Sequence, residues 1–469
     1  MGKLERKTVS VLALMGMLFV FTVASFPLAM AVSSDNNSTV SSSGSSAAVT
    51  PVAESVNSVT AVVNPSTSKV KPLEVAATRP DSATSPSTTL PWAYILMTVG
   101  FTVTILVSLA LKRRGHKSSR VRHLISIVFL GLLIMSTGYV YGEENRTVSI
   151  WDLTSAGIVN PMIISESVDS NGNVWFSSVS SNRIGCLNPS TNEIKIVITP
   201  EAGGSISTIS VDHTDKVWFV DTALKRVGRF DTATNFFTIW PVSGIPYWGT
   251  VWSGIGLPLV SSDSHGNAYF PEYTTNKIGR IDPVTNELTE WAIPTSDSEP
   301  CFSMVDANDN AWFAECSGNK IGRLNPLTNE ITEWAIPTSN SGPSGLYVAQ
   351  GLIYFAEYIG QKIGRLNPSR NEMTQWSLSW YAQYPRGLSV DSSGNAWFVT
   401  YGTYGYGVGT LFRLGTDNIF TYWQFPEGRN SAYGATVDAR VNLGDVYVAT
   451  WYDLWGRSSP AVLRFHQTP

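Results

Sequence analysis

Asn319-Lys320-Ile321-Gly322-Arg323-Leu324-Asn325-Pro326, followed after a short turn by Glu330-Ile331-Thr332-Glu333-Trp334, decides the fold. The two halves read as strands joined by a tight turn. The spacing from Arg323 to Trp334 is 11, and it recurs from Arg229 to Trp240, Arg280 to Trp291 and Arg365 to Trp376. A constant distance across a turn means a constant hairpin register. Those Arg and Trp residues read as packing groups between neighbouring sheets. Upstream stands an aromatic pair, Trp312-Phe313, with counterparts at Trp175-Phe176, Trp218-Phe219, Tyr269-Phe270, Tyr354-Phe355 and Trp397-Phe398, then Tyr447-Val448. Successive spacings are 43, 51, 43, 42, 43 and 50. A period in the low forties is the size of a four-stranded propeller blade.

Each repeat carries its own turn chemistry. Asp169, Asp212, Asp263, Asp306 and Asp391 each stand six residues before the aromatic, and Asp, Asn and Gly supply hairpin turns there. The seventh repeat stops at Arg464-Phe465, short of a fourth strand, while Val148-Ser149-Ile150-Trp151 has the fourth-strand pattern ahead of the first complete repeat. The sequence therefore predicts an all-β, seven-bladed β-propeller over residues 146–469 with four-stranded blades. Its ring is closed by an N-terminal strand, which removes open edges.

The N-terminal third has a different composition. Residues 1–31 carry Lys3, Arg6 and Lys7, then an apolar run ending in Ala29-Met30-Ala31. This is a signal peptide or a retained membrane anchor. Residues 32–89 are rich in Ser, Thr, Ala, Val and Pro with few aromatics, and read as a disordered stalk. Residues 90–142 hold two apolar runs, 90–111 and 124–141, long enough to be transmembrane helices. Lys112, Arg113, Arg114, Lys117, Arg120 and Arg122 lie between them. The positive-inside rule places that loop in the cytoplasm, so the stalk and the propeller are expected outside. Sequons beginning at Asn36, Asn37 and Asn145 fit an extracellular location. The net charge of −4, without a basic stripe, excludes a nucleic-acid partner.

The repeat at Asn319–Pro326 and Glu333-Trp334-Ala335-Ile336-Pro337 resembles the virginiamycin B lyase (streptogramin lyase) family over the whole of 146–469. The resemblance implies a magnesium-assisted elimination that opens a cyclic antibiotic. The base would be a His just after a Pro, at the start of an innermost strand of a late blade, with a Glu nearby. The matching places here are Glu299-Pro300-Cys301, Pro343-Ser344-Gly345, Pro385-Arg386-Gly387 and Ala432-Tyr433-Gly434, and none holds His. His116 and His123 flank the basic loop, His213 and His265 lie in turns at the opposite end of the blades, and His466 is in the tail. No Ser-His-Asp set, P-loop, Rossmann fingerprint or zinc spacing is visible either. The expected function is an extracytoplasmic ligand-binding or surface-interaction module, with a metal-assisted lyase as the alternative.

Three sets of residues are candidates for such a site. Asp221, Glu272, Glu315 and Glu357 occupy one position in consecutive blades, three residues after the first aromatic. At the mouth of the central channel they would offer oxygen ligands to Mg²⁺ or Ca²⁺, unless each pairs with a Lys such as Lys277 or Lys320. Tyr247, Trp248, Trp252, Trp380, Tyr381, Tyr384, Tyr401, Tyr404, Tyr406, Trp451, Tyr452 and Trp455 stand in the top-face loops. They make an aromatic surface suited to a glycan, a peptide or another protein. Cys301 and Cys316 would lie directly opposite each other if the hairpin turns between Asn308 and Asp309, close enough for a disulfide, leaving Cys186 unpaired.

Overall fold

A computed structural model describes residues 38–41, 44–77, 146–156, 158, 165–179, 182–246, 258–378, 384–400, 409–425, 432–437, 445–450 and 460–466. The signal or anchor segment, both apolar runs, the basic loop and the asparagines of the three sequons lie outside them. No helix among the described residues is long and apolar enough to cross a membrane.

The fourth repeat sets the pattern. Pro300–Val305, Ala311–Glu315, Lys320–Asn325 and Glu330–Ala335 form one antiparallel sheet in chain order, with Arg323 opposite both Trp312 and Thr332. Gly322 lies opposite Phe313, and a Cβ there would come within 2.2 Å of the phenyl ring. The ring thus occupies the space that any larger residue would need. The same Phe-over-Gly contact recurs at Phe176–Gly185, Phe219–Gly228, Phe270–Gly279 and Phe355–Gly364. Asp306, six residues before Trp312, accepts the indole N–H at 2.8 Å, as Asp169, Asp212 and Asp391 do for Trp175, Trp218 and Trp397. The recurrent spacing is therefore a buried hydrogen bond that fixes the first hairpin. The Arg323 guanidinium lies 5.6 Å from the ring centres of both Trp312 and Trp334, so the Arg-to-Trp interval is a stacking register.

Seven such sheets follow in sequence, and the seventh is Ala432–Val437, Val446–Thr450, Ala461–Phe465 and Arg146–Asp152. The N-terminal strand closes the ring as expected, with Trp151 opposite Val462. Arg146 is buried in the seam with blade 6, its guanidinium 4.3 Å from the Trp423 ring centre and 4.8 Å from that of Trp397. Apolar clusters fill the seams between blades, such as Trp218, Trp240, Phe270 and Leu288 between blades 2 and 3.

The segment read as a disordered stalk departs from that expectation. Six short strands begin at Ser38, Ser45, Val52, Val59, Ser66 and Leu73, seven residues apart, and pair with the outermost strands of blades 5, 4, 3, 2, 1 and 7 in that order. Six blades thus have five strands, and blade 6 has four among the described residues. The side chains of Val52–Ser55 are all exposed, so little apolar surface is available to signal a strand. Backbone pairing supplies most of the attachment, and a composition-based reading of disorder does not register it.

Candidate functional site

The end of the ring where second strands finish and innermost strands begin is the top face. Three innermost strands start there with the same device. Glu299, Gly342 and Tyr384 each precede a Pro and take φ values of 49°, 56° and 58°. A residue before Pro normally prefers extended backbone, and positive φ is costly for Glu and Tyr. The left-handed turn directs Glu299 and Tyr384 away from their own strands, toward the preceding blade. There they meet the residues that follow the candidate carboxylates. The Tyr273 phenol is hydrogen-bonded to Glu299, and burial followed by that carboxylate pushes its titration upward. Ser317 also donates to Glu299. At the next such lead-in, the Tyr384 ring packs 4.9 Å from the Tyr358 ring. Arg386 lies beneath, its guanidinium 4.6 Å from the Tyr358 ring centre and donating to its hydroxyl at 2.9 Å.

The four carboxylates sit just below these turns, Glu315 opposite Pro300 and Glu357 opposite Pro343. All four are completely buried. They do not converge on the channel, because each turns along its own blade. Asp221 accepts from Arg226 at 2.9 Å and Glu272 from Thr275 at 2.6 Å, while Glu357 accepts from Gln375 at 2.6 Å. Glu272 is hydrogen-bonded to Glu290, and Glu315 to Glu333. Lys277 and Lys320 hold Glu290 and Glu333 at 2.6 Å, rather than the candidate carboxylates. Among the described residues, no three His, Cys, Asp or Glu side chains are grouped to hold a metal ion. The four carboxylates expected to share Mg²⁺ or Ca²⁺ instead take separate partners, an arginine, an amide or a second carboxyl. Burial, more than the neighbouring acid, pushes Glu272 and Glu315 up to about 8, and burial raises Glu357 as well.

Cys301 and Cys316 form a disulfide, with Cα atoms 6.1 Å apart. They are not directly opposite. The hairpin is centred on Asn308, with Val305 opposite Ala311, and a bulge at Phe302, φ 49°, shifts the register further so that Cys301 faces Ala314. The bridge runs diagonally and stiffens the loop beside Glu299. Cys186 is buried and free, and burial raises its thiol pKa.

Of the aromatic candidates, Tyr384 is described and lies at the top face; Trp248, Trp252, Trp380, Tyr404, Trp451 and Trp455 fall outside the described residues. Tyr273, Ser317 and Tyr358 are not among the residues that the sequence pattern singles out, and Glu299 and Arg386 enter it only at places where the family's His is missing. A usable signal exists, since Tyr273 and Tyr358 each follow a candidate carboxylate and each meets the Pro-containing lead-in of the next blade. Three of the four places that the family resemblance marks for a His hold structural groups, and the side chain of the fourth, Tyr433, lies outside the described ones. Cys301 is in the disulfide, Ser344 Oγ donates to the Pro385 carbonyl at 3.1 Å, and Arg386 is held by Tyr358.

Residues 158–457 match the model of the virginiamycin B lyase family. The chain is similar in structure to virginiamycin B lyase from Staphylococcus aureus, at 22% identity and TM-score 0.57, over 69% of this chain and 100% of that one. A streptogramin B lyase structure matches at 20% identity and TM-score 0.56, over 68% and 97% of the two chains. A catalytically inactive variant of the Staphylococcus aureus enzyme, with quinupristin, matches at 22% identity and TM-score 0.58, over 69% and 100%. These likenesses concern the fold. No curated protein matches the chain.

Proposed function

The chain belongs to the virginiamycin B lyase family, and from that premise we propose that it is a membrane-anchored, extracytoplasmic propeller that binds a glycan, peptide or protein ligand on its top face. The observation that carries this reading is that three of the four places marked for the family's base are taken by Cys301, Ser344 and Arg386, each committed to a structural contact. A general base must reach the proton it removes. Among the described histidines, His213 and His265 occupy turns at the opposite end of the blades, and His466 contacts Ser149 and Arg464. What stands half-buried at the top mouth is recognition chemistry: the tyrosines Tyr273 and Tyr384 and one carboxylate at Glu299, with Tyr358 and Arg386 buried behind them. Tyrosine offers a flat apolar face with a polar tip, and the strained turns hold these groups in place before a ligand arrives. The extracytoplasmic placement rests on the cation-rich loop between residues 112 and 122.

Family membership favours a second reading, metal-assisted opening of a cyclic peptide or ester, and one experiment separates the two. The full chain in detergent micelles is screened on glycan and peptide arrays and, in parallel, incubated with quinupristin and Mg²⁺ under mass spectrometry. Binding that is lost in Tyr384→Ala and Glu299→Ala at unchanged melting temperature, with quinupristin intact, is the expected result. Ring-opened quinupristin would establish the lyase reading instead.

A further inference from the structure

The seven-residue interval of the encircling segment matches a row of nearly identical places on the rim. Four consecutive units, beginning at Ser45, Val52, Val59 and Ser66, each contribute four residues to a strand on one blade, and the fifth crosses to the next seam. The fifth residue is Val49, Val56, Val63 or Val70, and its backbone N–H donates to Asn329, Asn286, Asn235 or Asn192 at 2.8, 3.0, 3.1 and 2.9 Å. These four asparagines all have positive φ, between 55° and 60°, which turns their carbonyls outward from the last hairpin of the blade. The Val side chains enter the seams. Val56 packs on the cluster of Trp218, Trp240 and Phe270, Val63 on that of Trp175, Phe230 and Phe237, and Val49 on that of Tyr269, Trp291 and Phe313. Val70 is buried with Trp151, Phe176 and Ile194. The seventh residue, Pro51, Ser58, Pro65 or Pro72, is half-buried, whereas most of the strand side chains between are exposed.

The asparagines also bind the rim together. The side-chain oxygens of Asn192, Asn286 and Asn329 accept the indole N–H of Trp151, Trp240 and Trp291 from the preceding blade at 3.0, 2.9 and 2.9 Å. Asn235 accepts from Lys195 at 3.0 Å instead. One residue thus shapes the hairpin, holds the neighbouring blade and presents a carbonyl to the encircling strand.

We propose that the rim of this propeller is a tandem peptide-binding site, occupied by the chain's own residues 38–77. Each subsite reads a seven-residue unit through three features. These are the outer edge of a blade's fourth strand, an outward asparagine carbonyl and an apolar slot that takes a valine at the fifth position. The occupant contributes backbone at its other positions, so its composition is free to be polar. Linked units gain from effective concentration, and a strap engaging six blades stays bound when any single unit opens.

The test uses the full chain with protease sites inserted after Val32 and after Thr78. After cleavage in native buffer, the freed strap is expected to remain with the propeller through size exclusion. In the same cleavable chain carrying Val56→Asp and Val63→Asp, the strap is expected to dissociate at least tenfold faster, with the propeller's circular dichroism and near-ultraviolet spectrum unchanged. Glu54→Ala, on the exposed strand face, should leave retention as it was. Separation of the wild-type strap on cleavage would overturn the proposal, as would equal retention in the double Asp variant. Mixing two differently tagged uncut proteins probes exchange. Monomers on light scattering support occupation by the chain's own strap, and mixed dimers overturn it.

Discussion

Replacing Glu315 by Gln should make the protein more stable at alkaline pH and remove part of its pH dependence. Glu315 lies fully buried at the end of the second strand of blade 4. Burial first, then the Glu333 carboxylate, lifts its titration from 4.5 to about 8. A carboxyl whose folded pKa lies above its unfolded value holds its proton more tightly in the native state. Its contribution to stability is complete below pH 4.5, falls as pH rises toward 8, and is absent above it. Each pH unit between the unfolded and folded pKa corresponds to about 1.4 kcal/mol, so ionising Glu315 costs the native state at most ~5 kcal/mol, and about half that once local relaxation is allowed. Blade 5 already contains an amide–carboxylate version of the arrangement, with Gln375 donating to Glu357 at 2.6 Å. The amide introduced by Glu315→Gln would donate to Glu333 in the same manner, while Lys320 keeps its 2.6 Å contact with Glu333. Denaturant unfolding between pH 4 and pH 9 should show the variant about equal to the parent at the acidic end and ~2 kcal/mol more stable at the alkaline end. Glu272 titrates in the same range, so E272Q/E315Q should flatten the profile further. An E315Q protein less stable than the parent at pH 9, or one with an unchanged pH slope, would refute the assignment of a strained buried acid.

Asn286→Gly keeps the left-handed turn available but deletes the side-chain oxygen that accepts from Trp240, and should cost about 1 kcal/mol in chemical unfolding, with Asn286→Ala costing about 1 kcal/mol more. Thiol titration of the unfolded, unreduced protein should give one reactive thiol, Cys186, and Cys316→Ser should lower stability by ~3 kcal/mol for a loop of this size. In intact cells, a membrane-impermeant maleimide should label both Ser55→Cys on the strap and Val284→Cys on the propeller, while Lys117→Cys becomes reactive only after permeabilisation.

The propeller is legible in the sequence because its signals are repeated chemistry. Asp306 and Trp312 stay six residues apart since the indole donates to the carboxylate, and Arg323 and Trp334 stay 11 apart since guanidinium and ring stack across one hairpin. The closing strand at Val148–Trp151 can be read for the same reason. Direction is harder to read than position. Glu315 is placed at the top of its blade by the repeat, but its direction depends on Gly318, whose missing Cβ leaves the space that the carboxylate fills. The Cys301–Cys316 pairing is expected on a hairpin centred between Asn308 and Asp309, whereas the ladder is centred on Asn308 and displaced again by a bulge at Phe302 that nothing in the residue types announces. The strap escapes a composition-based reading because its information is concentrated in one residue of seven. Val49-Thr50-Pro51, Val56-Asn57-Ser58, Val63-Asn64-Pro65 and Val70-Lys71-Pro72 recur at a period belonging neither to an isolated helix nor to a strand. It is the distance from one blade edge to the next.

That strap constrains everything between it and the propeller. Ala77, at its end, is the ladder partner of Arg146, the first residue of the closing strand. Residues 77 and 146 therefore meet at one point on the outer edge of blade 7. Strand pairing requires both partners in one compartment, so any membrane crossings made between Ala77 and Arg146 must be even in number. The two transmembrane helices expected from the apolar runs at 90–111 and 124–141 would satisfy that count, and the proposed topology puts the six cations between them in the cytoplasm. A single crossing would place Leu73–Ala77 and Arg146–Asp152 on opposite sides of the bilayer and abolish a five-residue ladder. The maleimide experiment is a direct reading of this parity. Matched labelling of Ser55→Cys and Val284→Cys is required whatever the absolute orientation, whereas the protection of Lys117→Cys tests the orientation alone. Labelling of the strap without the propeller would break the pairing itself, and with it the rim site that the pairing defines.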